Sequence, residues 1–192
     1  MEEETMFSES RTAQMAAFFL DKTTEKKMPH LKLMKLLYLS DRESIQETGL
    51  PISWDLPVSM PHGPVLSLTL NLMNGDWGSD TTDGWASWIS GKENYEVGLV
   101  RPVSRKALDK LSDFDLDVLE SVWARFGEMD QWRLRDWTHD HCAEWQDPDG
   151  SSRPIAPGEI LRAVGYNDDN EVKNIIRIIE EQRSLSATLS RL

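Results

Sequence analysis

The sequence has a single cysteine, Cys142, among its 192 residues. One thiol cannot form an internal disulfide, which agrees with a reducing compartment. No apolar run approaches the roughly 20 residues that a membrane-spanning helix needs. The amino terminus, MEEETMFSES, is acidic where a secretory signal would be basic. These absences together predict a cytoplasmic protein that does not enter a membrane.

Basic residues are also scarce, since 21 lysines and arginines stand against 33 aspartates and glutamates and give a net charge of −12. This balance disfavours nonspecific attraction to a phosphate backbone or to an anionic membrane. We therefore expect no nucleic acid partner. Two explanations of the acidity stay open, a basic protein partner and the general solubility that acidic surfaces provide.

The usual short motifs of enzymes are absent. The sequence contains no GxxxxGK[ST], GxGxxG, GxSxG or HExxH pattern, so phosphate cradling, dinucleotide binding, serine esterase and zincin chemistry lack their markers. The sequence therefore favours a protein that is not an enzyme and needs no cofactor.

One helix with a broad apolar stripe organises the predicted fold. This helix begins near Leu31 and ends near Thr48. Gly49 suits its left-handed cap, and Pro51 prevents its simple continuation. The chain then returns in extended form through residues 52–60, changes direction at residues 62–65 (HGPV, the Gly-Pro elbow) and enters a helix over residues 66–73, with Pro64 in its first turn. The stripe itself is formed by Leu33, Met34, Leu36, Leu37, Tyr38 and Ile45.

The remaining pattern is mostly helical. Residues 85–89 and 95–99 flank a turn-like segment and predict a β-hairpin, to which residues 54–60 could add a third strand. Ser112 and Asp115 form a predicted capping box, and Asp130 is a predicted helix cap. The fold class is mostly α (α+β): one helical domain with a small antiparallel β-hairpin or three-stranded sheet. We expect residues 1–9 to be a flexible acidic terminus and residues 10–192 to form one domain.

Side chains with chemical potential concentrate at residues 138–145, which contain two of the four histidines and the only cysteine. A metal site normally requires three or four protein ligands, and His30 and His62 lie far away in sequence, so no metal is expected. A hydrolase with Cys142 as nucleophile and His139 as base is an alternative. Asp140 and Glu144 make the local electrostatic field negative, which opposes formation of the thiolate. The sequence therefore favours a buried thiol and histidines that make structural hydrogen bonds.

The eight tryptophans raise the question of a binding surface. Trp123 and Trp137 lie in apolar helical patterns and are predicted core residues. Trp77, Trp85 and Trp88 lie in or near polar loops and the predicted hairpin. One or two of these three are candidates for exposure and for contact with a partner, and burial in the core is the favoured alternative for each one.

Three short segments together resemble the Panacea domain family of SocA-like or GepA-like phage-associated proteins. They are a KLMKLLY helix, the Gly-Pro elbow, and a Thr-His pair followed by tryptophan, in that order, and the resemblance covers about residues 10–145. The last two helices, at about residues 157–190, lie beyond it. Glu144 stands where the family commonly has proline, and His62 where tyrosine is usual. The matching motif residues are Lys35, Leu36, Leu37, Tyr38, Gly63, Pro64, Val65, Thr138, His139 and Trp145.

The resemblance implies a non-enzymatic antitoxin, encoded in a bacterium or prophage, that neutralises a cognate toxin protein by direct binding. A SocA-like relative is instead an adaptor that delivers its toxin to a ClpXP-type protease, and the leucine-containing tail SLSATLSRL is the candidate contact for that role. A DNA-binding regulator is the remaining alternative, which the charge and the short segment before residue 10 disfavour. The motif residues are expected to be mainly structural.

Overall fold

In the computed structural model, which describes residues 6–76 and 82–189, eight helices pack around two small antiparallel sheets. The predicted fold class is therefore confirmed. The helices are α1 (Glu9–Asp21), α2 (His30–Thr48), α3 (Ser67–Asn74), α4 (Trp85–Trp88), α5 (Asp113–Phe126), α6 (Gln131–His141), α7 (Pro157–Ala163) and α8 (Asp169–Leu189). The strands are β1 (Lys27–Pro29), β2 (Pro57–Met60), β3 (Gly63–Leu66), β4 (Glu96–Gly98) and β5 (Arg153–Pro154).

Helix α2 lies at the centre and is buried along most of its length. It packs against α1, α5, α6 and β3, and its apolar stripe is fully enclosed, as the sequence pattern predicts. Its C-cap is Gly49 with φ +80°, which donates its N–H to the Ile45 carbonyl. Both the helix and its cap are therefore confirmed.

Side-chain caps fix the starts of three further helices. The reciprocal hydrogen bonds of Ser112 and Asp115 form a capping box at α5, and the Asp130 carboxylate accepts from two backbone N–H groups at α6. Helix α1 is capped by Ser8, whose hydroxyl accepts a hydrogen bond from the backbone N–H of Arg11. The predicted caps of α5 and α6 are therefore confirmed.

The Gly-Pro elbow differs from the prediction. Residues Gly63–Leu66 form strand β3, which pairs with β2 in a hairpin, and helix α3 begins only at Ser67. Pro64 therefore does not start a helix. It is tolerated in β3 because the sheet order is β3-β2-β5, so that β3 is an edge strand.

The predicted hairpin at residues 85–99 is also wrong in its first half. Residues Trp85–Trp88 form the short helix α4, and Ile89 alone makes a bridge to Leu99. The second half is a strand, but β4 pairs with β1, which lies almost 70 residues earlier in the chain. The i, i+3 spacing of Trp85 and Trp88 places both rings on one buried face of α4.

Two buried aspartates fix the path from α2 to the β2–β3 hairpin. Asp41 accepts hydrogen bonds from the backbone N–H groups of Ile52 (3.0 Å) and Ser53 (2.9 Å). Asp55 accepts from the backbone N–H groups of Leu68 and Thr69, each at 2.8 Å. Asp41 thus satisfies backbone donors of the irregular segment after α2, and Asp55 satisfies those of the first turn of α3.

Helices α7 and α8 pack around a second, smaller apolar cluster. Its buried members are Ile45, Ile155, Ile160, Leu161 and Val172. Since Ile45 belongs to α2, this cluster is joined to the central helix. Across residues 6–76 and 82–189, every helix is too short or too polar to cross a membrane.

Candidate functional site

The elbow, the central helix and the end of α6 meet at one point. Gly63 has φ +90°, a conformation that disfavours residues with a Cβ atom. A Cβ added there would lie 2.7 Å from Thr138 Oγ1 and 3.0 Å from Lys35 Nζ. Glycine is therefore required at position 63 for two reasons, the positive backbone angle and the close approach of two side chains. The three predicted motif segments come together here in space.

Lys35 is the unusual member of this cluster, because its charged side chain is fully buried. Its Nζ donates a hydrogen bond to the Pro64 carbonyl at 2.8 Å. Burial lowers the pKa of Lys35 to about 7, because the low-dielectric surroundings disfavour the ammonium form. Lys35 thus joins α2 to β3, at an electrostatic cost.

The Thr-His pair joins α6 to the same point. Thr138 is fully buried, and its hydroxyl donates to the Arg135 carbonyl at 2.7 Å. The His139 ring stacks on Trp145 with centroids 4.1 Å apart, and the Trp145 Nε1–H donates to the Met60 carbonyl at 3.0 Å. Burial, followed by the charge of Lys35, lowers the pKa of His139. These contacts hold the end of α6 against the β2–β3 hairpin.

Glu144 forms a buried network that the sequence did not indicate. Its carboxylate accepts hydrogen bonds at 2.7 Å from the Tyr38 hydroxyl and at 2.7 Å from Arg42 Nε. Burial and the neighbouring Glu144 charge raise the pKa of Tyr38 well above its ordinary value. Both partners lie on α2, more than 100 residues earlier. The network therefore clamps the segment after α6 to the central helix.

The surroundings of Cys142 disfavour the thiolate form of its side chain. Its side chain is buried, and burial, then the Glu144 carboxylate, raises the pKa of the thiol to about 12. Both neighbouring histidine rings stack on tryptophans: His139, the candidate base, on Trp145, and His141 on Trp137 with centroids 4.6 Å apart. The arrangement agrees with a structural thiol.

Among the residues described, no group of three or more histidine, cysteine, aspartate or glutamate side chains is arranged to hold a metal ion. Lys35, Gly63, Thr138, His139 and Trp145, which we call the motif cluster, pack together. The side chains of Lys35, Thr138 and Trp145 donate hydrogen bonds to backbone carbonyls, whereas the buried Nε2 atom of His139 has no hydrogen-bond partner among the described residues. Chemically the motif cluster can join α2, the β2–β3 hairpin and α6 into one body.

The surface distribution of aromatic residues differs from the prediction. Trp85 and Trp88 are 5% and 0% exposed, so both are core residues and neither is available to a partner. Trp77 lies outside the described residues. Tyr95 and Trp132 are instead 77% and 51% exposed, and the sequence analysis missed both. For Trp132 a signal existed, because it lies off the apolar stripe of α6, between two polar neighbours.

These two rings line a groove of about 600 Å³ between the start of α2, the β2–β3 turn, the loop before β4 and the start of α6. His62, the first residue of the elbow, also lines it and is exposed. The elbow therefore has a buried side, formed by the motif cluster, and an open side, formed by this groove, which we call the aromatic groove. Its lining residues are Pro29, His30, Leu31, His62, Asn94, Tyr95, Glu96, Gln131 and Trp132.

A family model described as "Antitoxin SocA-like, Panacea domain" matches residues 33–146. The matched range contains every member of the motif cluster and the network around Glu144. It ends before β5, α7 and α8. No curated protein and no solved structure gives a significant match.

Proposed function

Because this chain belongs to the SocA-like Panacea family of antitoxins, we propose that it neutralises a cognate toxin protein by binding it directly. The observation that carries the proposal is the family match over residues 33–146, which includes the three motif segments. The packed motif cluster supports a rigid binding body, since its side chains are used to join α2, the β2–β3 hairpin and α6. Binding would hold the toxin inactive or cover its active surface.

We further propose that no step of neutralisation is catalytic and that no cofactor is needed. The buried Cys142 thiol, with its pKa of about 12, supports this reading over a hydrolase that uses Cys142 and His139. The acidic net charge supports a basic toxin surface and gives no support to nucleic acid binding.

We propose that residues 10–192 act as one domain in the cytoplasm. Helix α1, which precedes the matched range, contributes to the same core as α2 and α5. Helices α7 and α8, which follow it, share a cluster with Ile45 of α2. Both flanking regions thus pack on the central helix.

The test is co-expression with the protein encoded by the adjacent open reading frame. We expect that protein alone to arrest growth, and co-expression to restore growth and to yield a complex that co-purifies. Titration of the purified toxin should end at a stoichiometric ratio, and Cys142→Ala should neutralise as well as the unaltered protein. Unrestored growth with no complex, or complete neutralisation at a large excess of toxin, would overturn the proposal.

A second candidate function is a proteolytic adaptor that delivers the toxin to a ClpXP-type protease. Leu185, near the end of α8, is 58% exposed and could serve as a contact. The discriminating measurement is the half-life of the toxin in cells that contain or lack the protease. An adaptor predicts a longer half-life when the protease is deleted, whereas neutralisation by occlusion alone predicts no change.

A further inference from the structure

We propose that the aromatic groove is the toxin-binding surface and that it receives a basic segment of the toxin. The inference rests on the proposed function and adds to it the surface and the chemistry of the partner. In the predicted contact, the aliphatic part of a lysine or arginine lies against the rings of Tyr95 and Trp132, and its charged end meets Glu96.

The first support is the exposure of two large aromatic side chains from different parts of the chain. Tyr95 precedes β4, and Trp132 lies in the first turn of α6, yet both line the same groove. Exposed tyrosine and tryptophan side chains dominate binding hot spots, because they bring large contact areas at a small cost in conformational entropy. Their convergence distinguishes this surface from a single exposed ring.

The second support is the backbone that presents Tyr95. Asn94 and Tyr95 have φ values of +51° and +65°, which an aromatic residue rarely adopts. The backbone N–H of His30 donates to the Tyr95 carbonyl at 2.9 Å, and His30 Nδ1 lies 2.7 Å from the same oxygen. The His30 ring stacks on the Tyr95 ring at 6.2 Å. These contacts hold a strained conformation whose result is an outward-facing ring.

The third support is charge complementarity. Glu96 is the one formally charged side chain among the groove's lining residues, and its present partner, Lys27, also pairs with Glu25. Trp132 already accepts the guanidinium of Arg135 over its ring, at 5.2 Å from the centroid. The Trp132 ring thus makes a cation–π contact within the chain and is half exposed. The net charge of −12 favours the approach of a basic partner.

The groove also adjoins the motif cluster. His62 lines the groove, whereas the next residue, Gly63, contacts Lys35 and Thr138 on the buried side. The rigid cluster thus fixes the turn at the floor of the groove. A fixed binding surface loses less entropy on association than a flexible one.

The test uses the full chain and the protein encoded by the adjacent open reading frame, with dissociation constants from titration calorimetry. Tyr95→Asn removes the ring and keeps a residue that tolerates the left-handed backbone, and Trp132→Ala removes the second ring. Phe114→Ala is the matched control, because Phe114 is an exposed aromatic residue outside the groove. Thermal unfolding of each variant confirms that the fold is retained.

We expect Tyr95→Asn and Trp132→Ala each to weaken binding about 30-fold, in the range of hot-spot residues. Phe114→Ala should change it less than about threefold. Glu96→Gln should weaken binding and reduce its salt dependence.

If the unaltered protein binds and both ring variants bind equally well, the groove assignment is wrong while the proposed function stands. If Glu96→Gln strengthens binding, the occupant is not basic. If the unaltered protein does not bind, the proposed function itself fails, and the groove assignment with it.

Discussion

Substitution of the buried Lys35 provides a sharp test of the electrostatics of the motif cluster. Lys35→Met keeps a long unbranched side chain and removes the charge. In the folded protein the pKa of Lys35 is about 7, against an ordinary value of 10.5. At pH 7 this difference corresponds to about 4 kcal/mol of lost stability, at about 1.4 kcal/mol for each tenfold change in proton affinity. The substitution removes that penalty.

The substitution also leaves the Pro64 carbonyl without its hydrogen bond, which costs about 1–3 kcal/mol in a buried site. We therefore expect Lys35→Met to stabilise the protein by about 1–3 kcal/mol at pH 7. The sign reverses at high pH. Between pH 7 and 10.5 the unfolded chain binds more protons than the native one, so the stability of the unaltered protein rises with pH, whereas the variant lacks this contribution.

The assay is urea unfolding of both proteins at pH 7.0, 8.0, 9.0 and 10.0, followed by tryptophan fluorescence. The difference in unfolding free energy should fall steadily across this range and change sign near its upper end. Lys32→Met is a control, since Lys32 lies on the same helix but is only partly buried; burial lowers its pKa as well. A stability difference that does not change with pH would refute the reasoning, because it would mean that Lys35 remains charged throughout.

Three further predictions concern the clamp, the elbow and the thiol. Glu144→Ala should cost about 3–5 kcal/mol, because it removes the buried carboxylate that accepts from Tyr38 and Arg42. Arg162→Gln breaks an ion pair with Asp169 in which both side chains are exposed and should cost less than about 1 kcal/mol; equal losses in urea unfolding would contradict the clamp. Gly63→Ala should lower the free energy of unfolding by about 1–3 kcal/mol more than Gly75→Ala does. Gly75 is the matched control, because it shares the positive φ but a Cβ added there would meet nothing within 4 Å. Similar losses for the two variants would exclude the steric conflict at Gly63. Cys142 should not react with a disulfide reagent at pH 8 until the chain unfolds, and rapid labelling of the native protein would show that the thiol is accessible.

Local signals predicted much of this fold. The apolar stripe and Gly49 defined α2, and the caps at Ser112 and Asp130 defined α5 and α6, because each signal depends on residues within a few positions of one another. The predictions that were wrong depend instead on contacts between segments of the folded chain. Pro64 satisfies the local rule for a helix start, but the pairing of β2 with β3 overrides it.

The candidate site shows the same difference between local sequence signals and tertiary contacts. The motif residues were identified individually, but their convergence at Gly63 depends on how α2, the hairpin and α6 pack. The role of Glu144 could not be predicted, since its partners Tyr38 and Arg42 are more than 100 residues away. The exposure of Tyr95 also depends on a distant contact, the bond between its carbonyl and His30. Tertiary contacts of this kind leave no periodic trace in a sequence.

The short strand β5 has a consequence for any attempt to isolate the family domain. It pairs with β2 at Val58 and Ser59 and makes β2 the middle strand of its sheet. A fragment that stops at residue 146 would leave one side of β2 with free backbone donors and acceptors and would uncover Ile45. Such an edge can recruit a strand from another molecule. Strand β5 thus covers an edge of β2 that would otherwise be open to a strand from another molecule.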